Sequence, residues 1–556
     1  MSDSPADLSA MSKDPLLETV EVETAAGVAR SSVPLGLRCG VLLLFLSSLA
    51  LPLLATASGI RDGALINGDE AVAALLPLQF SRGEPNLLFP GNAYQGILET
   101  PVYAFFLAVG ARSEWPLRLF HQMIWTSAVA IWAVAGVEPL RRSGRVGVAE
   151  RWWALLIASG FLLLTSVTGW PVWYQIYPGY QLGALLAALG VLVSLRAVRL
   201  RGWVAAGALA GAAVYAQPMH LAGVVGVGVA ALCLSGSVGR WRRSIAAGVG
   251  MVIGIAPLAL WNLLNGFASL DVSAVPNQHP EWRYPERWSN TLRLTGRILF
   301  GDNATRLPSS AAILRPAVAV VLLALGWLGI VALVRSGRRG WPLLACAATG
   351  LIALPVLRSF SLDVDYRYGV AWWPALVVVI AAGGATLAAV SSARWRSGLL
   401  LLVVTVGALN LIVVGIGARN VIADRNGTAR AEDLTHDLAG DLRLCGVDGM
   451  VGDYWSVYPV SWAEGGGMQA LILPGMDRLG SLHQDWRSVR RVAVLPATTA
   501  AEPIATARTV GPAVGRVDAR WIAAVHPESG TPVVLEVNDI PFPKGCIGAN
   551  GLQLVQ

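Results

Sequence analysis

The chain has 556 residues, of which 54% are hydrophobic and only 14% are charged. Soluble globular proteins carry about 25% charged residues, so this composition excludes that class. The net charge of +7 does not indicate nucleic-acid binding, because the basic residues are nearly all arginines in short runs between apolar segments.

The N-terminal part of the chain changes character once, near residue 37. Residues 1–36 are polar and rich in Ser, Ala, Asp and Glu, which predicts a disordered segment. This leader is too long and too acidic for a secretory signal, so we expect the first apolar stretch to be retained as a helix. Windows of about 20 apolar residues then recur from Val41 to Ile416, each long enough to span a bilayer. They predict a polytopic α-helical protein of the plasma membrane.

Arginine runs orient the predicted spans. Under the positive-inside rule, five arginine-containing loops face the cytoplasm: "RRSGRVGVAER" (141–151), "RAVRLR" (196–201), "GRWRRS" (239–244), "RSGRRG" (335–340) and "ARWRS" (393–397). The apolar stretch 99–111 is short for a span of about 20 residues, so we place it outside as a re-entrant or interfacial helix. The remaining stretches alternate and give about 11 transmembrane helices, with a cytoplasmic N-terminus and an extracytoplasmic C-terminus.

This topology puts most of the polar chemistry on the outer face. The outside loop 57–99 carries two adjacent carboxylates, Asp69 and Glu70, whereas the inside loops hold little besides arginine and small residues. An exposed acidic pair is often only a solvated loop end. The tryptophans and tyrosines of the outside loops are consistent with an interfacial belt as well as with sugar stacking.

The tail, residues 418–556, has shorter apolar runs. Strands are predicted in "MVGDYWSVYPVSW" (450–462), "ALILP", "RVAVLP" and "TPVVLEV", and a helix near "TARAEDLTHDLAGDLRLCG". We therefore predict three regions: a cytoplasmic N-terminus (1–36), a transmembrane domain (37–417) and an extracytoplasmic α/β domain (418–556). Cys445 and Cys546 are the two cysteines of the tail, and in an oxidising compartment they can form a disulfide.

Several stretches, taken in order, resemble the GT-C superfamily of integral-membrane glycosyltransferases. They are "GDEAVAALLPLQFSRGE", "LFPGNAYQGILETPVYAFFLAVGARSEWPLRL", "GALAGAAVYAQPMH", "APLALWNLLNGFASL", "DYRYGVAWWPAL" and, in the tail, "GDYWSVYPVSW". The nearest branch uses polyprenyl-phosphate sugars and includes protein mannosyltransferases and lipid A aminoarabinose transferases. The resemblance covers roughly residues 40 to 470. The chain departs from many relatives in having "ETP" where they have Pro-Pro-Leu, and in its near lack of lysine.

The resemblance implies a hexosyl- or pentosyltransferase of cell-envelope (cell-wall) biogenesis. It would move a sugar from a polyprenyl phosphate in the membrane lipid to a glycan, lipid or protein acceptor at the outer face. By resemblance, Asp69 is the general base that takes the proton of the acceptor hydroxyl. Glu70 then orients that base, binds the acceptor or helps to hold a divalent metal, since some relatives use a metal and others do not. Further residues are predicted to line the acceptor groove: Tyr94, Gln95 and Glu99.

The leaving phosphate needs fixed positive charge or hydrogen-bond donors. Arg367 is the best candidate, because a guanidinium can hold phosphate oxygens in two hydrogen bonds, and it lies between Tyr366 and Tyr368. An interfacial anchor is the alternative role for this arginine. His220 is a further candidate for the phosphate, and Asp365 would pair with Arg367 or bind acceptor.

Two other classes of protein remain open on the sequence. A transporter or lipid flippase usually places ionisable residues near the midplane, whereas the predicted spans here are almost free of charge. A non-catalytic envelope assembly protein would need only to display its tail, and about 11 spans are more than an anchor requires.

Overall fold

The computed structural model describes the following residues: 34–57, 68–83, 86–90, 92, 94–109, 115–168, 176–234, 237–270, 285–289, 292, 309–356, 373–392, 394–398, 401, 405, 431–452, 454–472, 479, 492–494, 513–515 and 553–554. The prediction of a disordered leader concerns residues 1–36, nearly all of which lie outside this set. The last apolar window, which ends at Ile416, is also largely outside it.

Helices account for most of the described chain up to residue 390, as the apolar windows predict. Two of them, over Pro116–Arg142 and Gly239–Leu264, are long and apolar enough to cross a membrane by themselves. In chain order the helices are α1 Leu35–Ala57, α2 Gly68–Ser81, α3 Thr100–Ala108, α4 Trp115–Arg142, α5 Val148–Thr168, α6 Tyr180–Arg196, α7 Leu200–Ala216, α8 Leu221–Cys233, α9 Ser237–Leu264, α10 Ser309–Arg335, α11 Trp341–Val356 and α12 Trp373–Val390.

Small residues bring pairs of these helices into close contact. Gly207 of α7 faces the Ala247 carbonyl of α9, and Gly250 of α9 faces the Val204 carbonyl of α7. A Cβ atom at either glycine would collide with that backbone. The segment "AAGGATLA" behaves likewise, since Gly383 of α12 lies against the backbone of α10. Backbone approach of this kind is typical of helix packing in membranes.

Glu138, near the end of α4, gathers arginines from three helices. Its carboxylate is fully buried and lies 2.8 Å from Arg141, 3.1 Å from Arg142, 3.1 Å from Arg196 and 3.7 Å from Arg151. Opposite charges at these distances compensate the cost of burying the carboxylate. The runs 141–151 and 196–201 therefore meet at one place.

The other arginine runs reach the same end of the helix bundle. The contacts that join them are Arg145 Nη2 to the Arg335 carbonyl at 2.8 Å, Arg339 to the Arg142 carbonyl, Arg396 to Glu150 at 3.7 Å, and the Arg243 guanidinium over the Trp203 ring at 5.8 Å. We call this the arginine-rich end. All five runs lie on one face, which is the arrangement that the positive-inside rule requires.

The short helices α2 and α3 lie away from the arginine-rich end. Nine residues of α3 extend about 14 Å at 1.5 Å per residue, about half of a hydrocarbon core of about 30 Å. This length fits the prediction that the stretch 99–111 does not span. Helix α2 buries nearly its whole circumference, from Ala71 to Pro77, so it is enclosed by other elements.

The tail forms helices α13 Ala431–Leu444 and α14 Tyr454–Glu464 with a mixed five-stranded sheet. The strands are β1 Gly449–Gly452, β2 Gln469–Ile472, β3 Val492–Val494, β4 Ala513–Gly515 and β5 Gln553–Leu554, in the order β2-β1-β3-β4-β5. Strand β1 pairs in parallel with β2 and β3, with Val451 opposite Leu471 and Val494, and β4 runs antiparallel to β3 and parallel to β5. The strand predicted in "TPVVLEV" lies outside the described residues.

One strand prediction for the tail is wrong in its second half. The segment 450–462 begins in strand β1, but the chain turns helical at Tyr454. Burial is continuous from Val457 to Trp462, because α14 contacts α2, α13 and the strands β1 and β2. The aromatic and β-branched content of this run favours a strand, and packing against several elements overrides that preference.

The tail shares a hydrophobic core with α2. Val72 and Leu75 of α2 belong to the same buried cluster as Leu442 of α13, Val457 of α14 and Ala470 of β2. A separate and larger cluster fills the helix bundle from α4 to α12. The tail is therefore packed onto the beginning of the chain, across more than 300 positions of sequence.

Candidate functional site

The first turn of α2 holds the two predicted carboxylates in different environments. Glu70 is fully buried and forms a bidentate pair with Arg118 of α4, with Nε to Oε1 at 3.1 Å and Nη2 to Oε2 at 2.8 Å. The Ile176 amide also donates to Glu70 Oε1 at 2.8 Å. Glu70 thereby ties α2 to α4 and to the segment that precedes α6. A buried pair of this geometry fixes position.

Asp69 lies at the boundary between α2 and the tail. It is only partly buried, and its Oδ1 accepts a hydrogen bond of 2.6 Å from the Tyr454 hydroxyl at the start of α14. Negative charge is favourable at this position, because the free amides of a helix N-terminus carry partial positive charge. The predicted base therefore lies where the loop, the bundle and the tail meet.

Glu99 precedes α3 and is buried. Its Oε1 accepts a hydrogen bond of 2.7 Å from the Gly179 amide. Its Oε2 has no hydrogen-bond partner among the residues that the structure describes. Burial raises the pKa of Glu99 from 4.5 to about 7, although the Gly179 amide opposes the shift. This carboxyl group thus changes its charge near neutral pH.

The other two predicted acceptor-groove residues lie beside Glu99. Gln95 is buried and its side chain donates to the Pro178 carbonyl, and its Oε1 accepts from Nδ2 of the Asn92 side chain at 2.9 Å. Tyr94 is half-buried. Gln95 and Glu99 both attach their loop to the turn 178–179, so the structure brings these predicted residues together.

A buried hydrogen-bonded chain was missed by the sequence analysis. The Tyr103 hydroxyl of α3 lies 2.8 Å from His121 Nε2 of α4, and His121 Nδ1 lies 3.2 Å from Gln181 Oε1 of α6. Because the Gln181 oxygen only accepts, Nδ1 carries the proton and Nε2 accepts from Tyr103. The signal in the sequence was the polar triplet in "LRLFHQ", which includes Arg118 and interrupts an otherwise apolar window.

His220 is placed close to this chain of residues. It ends the 3₁₀ turn Pro218–His220 between α7 and α8, is buried, and its Nε2 donates to the Tyr180 carbonyl at 2.9 Å. Its ring leaves no space for a Cβ atom at Gly183. These contacts give His220 a packing role, and its predicted part in phosphate binding stays a prediction.

The buried polar side chains around Glu70, Glu99 and His121, which we call the polar cluster, lie at the opposite end of α4 from the arginine-rich end. Arg118 and Glu138 are separated by 20 positions of this helix, or about 30 Å at 1.5 Å per residue. A hydrocarbon core has about the same thickness. The two groups of polar residues therefore have the spacing expected of groups at opposite surfaces of one bilayer.

Several predicted site residues lie outside the described residues: Arg367, Tyr366, Tyr368, Asp365 and Cys546. Their predicted roles stay predictions.

Cys445 is buried and disulfide-bonded, whereas Cys39, Cys233 and Cys346 are free thiols. The pairing of Cys445 with Cys546 also remains a prediction.

A resident metal ion has no evident ligand set in the described part of the chain. No group of three or more His, Cys, Asp or Glu side chains there is arranged to hold an ion. What the described side chains offer is a carboxylate at an accessible boundary, Asp69, supported by a buried ion pair. This arrangement is suited to accepting a proton.

No protein-family profile and no curated protein sequence matches the chain. Its fold, however, is similar to that of ArnT from Cupriavidus metallidurans bound to undecaprenyl phosphate, with a TM-score of 0.52 and 14% sequence identity over 82% of this chain and 92% of that chain. The apo state of the same protein has a TM-score of 0.49 and 14% sequence identity, over 80% of this chain and 92% of that chain. A third similar structure is the archaeal oligosaccharyltransferase AglB from Archaeoglobus fulgidus, in complex with an inhibitory peptide and a dolichol-phosphate. Its TM-score is 0.40 and its sequence identity is 11%, over 80% of this chain and 69% of that chain.

The comparison with undecaprenyl-phosphate-bound ArnT bears on the fold. At 14% identity the likeness concerns the backbone arrangement and does not extend to activity. The chain has a fold similar to that of ArnT, and the resemblance predicted from the sequence is confirmed at the level of the fold.

Proposed function

We propose that the chain is a membrane glycosyltransferase that takes a sugar from a polyprenyl-phosphate donor and passes it to a cell-envelope acceptor. The observation that carries the proposal is the placement of Asp69. It is an accessible carboxylate at the start of α2, set on a buried Glu70–Arg118 pair, in a fold shared with ArnT bound to undecaprenyl phosphate.

In the proposed reaction Asp69 is the general base. The acceptor hydroxyl gives its proton to the Asp69 carboxylate while its oxygen bonds to the anomeric carbon of the sugar. The bond from that carbon to the phosphate oxygen breaks, and the polyprenyl phosphate leaves with the electron pair. A carboxylate within hydrogen-bond reach typically accelerates such a step by about 100- to 10,000-fold.

Glu70 would serve this step by positioning Asp69. Both of its oxygens receive donors from Arg118 and the Ile176 amide, which favours an orienting role over acceptor binding. Glu99 would bind an acceptor hydroxyl, as its Oε2 has no partner within the described residues. The leaving phosphate would be held by Arg367 with its flanking tyrosines.

We further propose that the bundle has about 11 transmembrane helices, with the arginine-rich end in the cytoplasm. The polar cluster and the tail would then lie outside, at the level where a lipid-linked phosphate meets water. The gathering of all five arginine runs at one end supports this orientation.

A transporter or flippase is the main alternative. Such proteins place ionisable side chains near the midplane. In the described helices of the bundle the ionisable groups lie near helix ends, as Arg118 and Glu138 do in α4. This distribution favours an enzyme whose chemistry takes place at one surface.

The test compares three strains by mass spectrometry of envelope glycans and of polyprenyl-phosphate sugars. They are a deletion strain, the deletion carrying the wild-type protein, and the deletion carrying Asp69→Asn, with equal membrane levels verified. Asparagine keeps the shape of aspartate and can still accept from Tyr454, but it is not a base. We expect a glycan to be lost and a lipid-linked donor to accumulate in both the deletion and the Asp69→Asn strain.

Two results would contradict the proposal. Wild-type glycans in the Asp69→Asn strain, with a defective deletion strain, would remove Asp69 as the base and favour a transport or assembly role. If the deletion itself changes neither glycan nor donor under conditions in which the gene is expressed, the proposed reaction is not the function of this chain.

A further inference from the structure

We propose that Tyr454 is a positioning residue for Asp69, contributed by the tail, so that the site is complete only when α14 is docked on α2. This inference rests on the proposed function, in which Asp69 is the general base. It assigns the tail a direct part in the reaction centre, across 385 positions of sequence.

The contact between the two side chains is short, and its donor is protected from water. The Tyr454 hydroxyl donates to Asp69 Oδ1 at 2.6 Å, a distance typical of a hydrogen bond to an ionised oxygen. Tyr454 is only 4% exposed. A donor at this place selects one orientation of the carboxylate and holds the base in it. Orientation of a base by a third group is a common arrangement in active sites.

The docking of α14 on α2 is fixed at the start of both helices. Gly68 lies directly beneath Tyr454, and a Cβ atom at Gly68 would come within 2.6 Å of the tyrosine Cδ1 and 2.9 Å of its carbonyl oxygen. Only a residue without a side chain admits this approach. The absence of a Cβ at position 68 is thus what allows the hydroxyl to reach Asp69.

The docking is also fixed at the far ends of the two helices. Arg82, just after α2, donates from Nη2 to the Gly466 carbonyl, just after α14, at 2.7 Å. Between these contacts the Tyr458 ring packs edge-on against Tyr454, with 5.1 Å between ring centroids. The Tyr454 ring therefore has little freedom to turn away from Asp69.

The chain offers a matched control on the same helix. Tyr458 is fully buried, and its hydroxyl accepts a hydrogen bond of 2.9 Å from the Leu479 amide within the tail. Tyr454→Phe and Tyr458→Phe each remove one buried hydroxyl from α14, together with the hydrogen bond described above. Only the first of these hydrogen bonds joins the tail to Asp69.

The experiment measures turnover and binding separately. Turnover is the amount of the envelope glycan that each protein, wild type or variant, restores to the deletion strain, divided by the amount of folded protein. Binding is the affinity of the purified full-length protein, in lipid nanodiscs, for undecaprenyl phosphate as the probe. For Tyr454→Phe we expect turnover to fall by about 10- to 100-fold, the value of a hydrogen bond to a charged group, with binding within about two-fold of wild type. For Tyr458→Phe we expect turnover per folded protein near that of wild type.

Each alternative outcome has a definite meaning. Equal turnover of the two phenylalanine variants overturns the inference, and so does a parallel loss of turnover and binding in Tyr454→Phe, which would indicate a structural role only. If Asp69→Asn is fully active, the proposed role of Asp69 as the base is wrong, and the inference about Tyr454 is wrong with it. If Asp69→Asn is inactive and Tyr454→Phe is not, the proposed function stands and this inference falls.

Discussion

Two neighbouring carboxylates of the same helical turn have different surroundings, and their proposed roles follow from that difference. Glu70 is buried against a guanidinium and an amide, so its charge is compensated and its position is fixed. Asp69 faces the tail and is only partly buried. Glu70 is therefore suited to holding the site in position and Asp69 to accepting a proton, although both side chains are carboxylates.

At this scale Glu99 gives a prediction about pH. Its pKa is about 7 in the folded protein, against 4.5 for an ordinary glutamate, because the ionised form is costly when buried. The folded state therefore holds this proton more tightly than the unfolded state does. The stabilisation that the proton provides is complete below about pH 4.5 and is lost as the pH rises through about 7.

Glu99→Gln removes the ionisation but keeps an oxygen that can accept from the Gly179 amide. We expect the wild-type protein to lose thermal stability relative to Glu99→Gln as the pH rises from about 5 to about 8. The measurement is the unfolding midpoint of both purified proteins in detergent across this range. Parallel curves for the two proteins would show that Glu99 does not titrate there.

At the scale of elements, the bundle depends on close backbone approach between α7 and α9. Gly250 of α9 faces the Val204 carbonyl, so an added Cβ atom would have to displace a helix. Gly248, two positions earlier on the same helix, has open space around it. The two glycines have the same helical conformation and differ in what lies opposite them.

This difference predicts opposite effects of the same substitution. Gly250→Ala should destabilise the protein by about 1–3 kcal/mol, as overpacking does, and lower its unfolding midpoint. Gly248→Ala should be neutral or slightly stabilising, because alanine favours a helix over glycine. Both variants can be compared by thermal unfolding in the same detergent. Equal midpoints would mean that α7 and α9 are not in contact as described.

At the scale of the whole molecule, the polar groups divide into two sets about 30 Å apart, one at each end of α4. The arginine-rich end carries compensated positive charge around Glu138, and the other end carries the carboxylates and the tail. This division defines the two ends of the bundle, and the proposed orientation in the membrane rests on the positive-inside rule.

The orientation can be tested with reporters at the C-terminus. A periplasmic alkaline phosphatase fused after Gln556 should be active, and a cytoplasmic fluorescent protein at the same position should be dark. Cys445 should react with maleimide in the unfolded protein only after reduction, because it is disulfide-bonded. The reverse reporter pattern would place the tail in the cytoplasm and remove the proposed site from the outer face.

The sequence by itself determined the class of protein, the approximate positions of the helices and the sorting of arginines to one face. These properties depend on local composition, because an apolar window of sufficient length is helical in a membrane whatever surrounds it. The order of weak motifs was enough to predict a resemblance that the fold comparison with ArnT confirms at the level of the fold. The strand predicted over 450–462 failed in its second half, where a run of aromatic and β-branched residues forms a helix that is buried on several sides.

Only the tertiary structure decided how the candidate site is assembled. Tyr454 meets Asp69, and Arg118 meets Glu70, because separate helices pack in one arrangement out of many that their patterns allow. No local signal marks a tyrosine in the tail as a partner of a carboxylate near the beginning of the chain. Contacts between distant positions arise from packing and from hydrogen bonds that form only after the chain has folded, and for this reason composition and periodicity do not contain them.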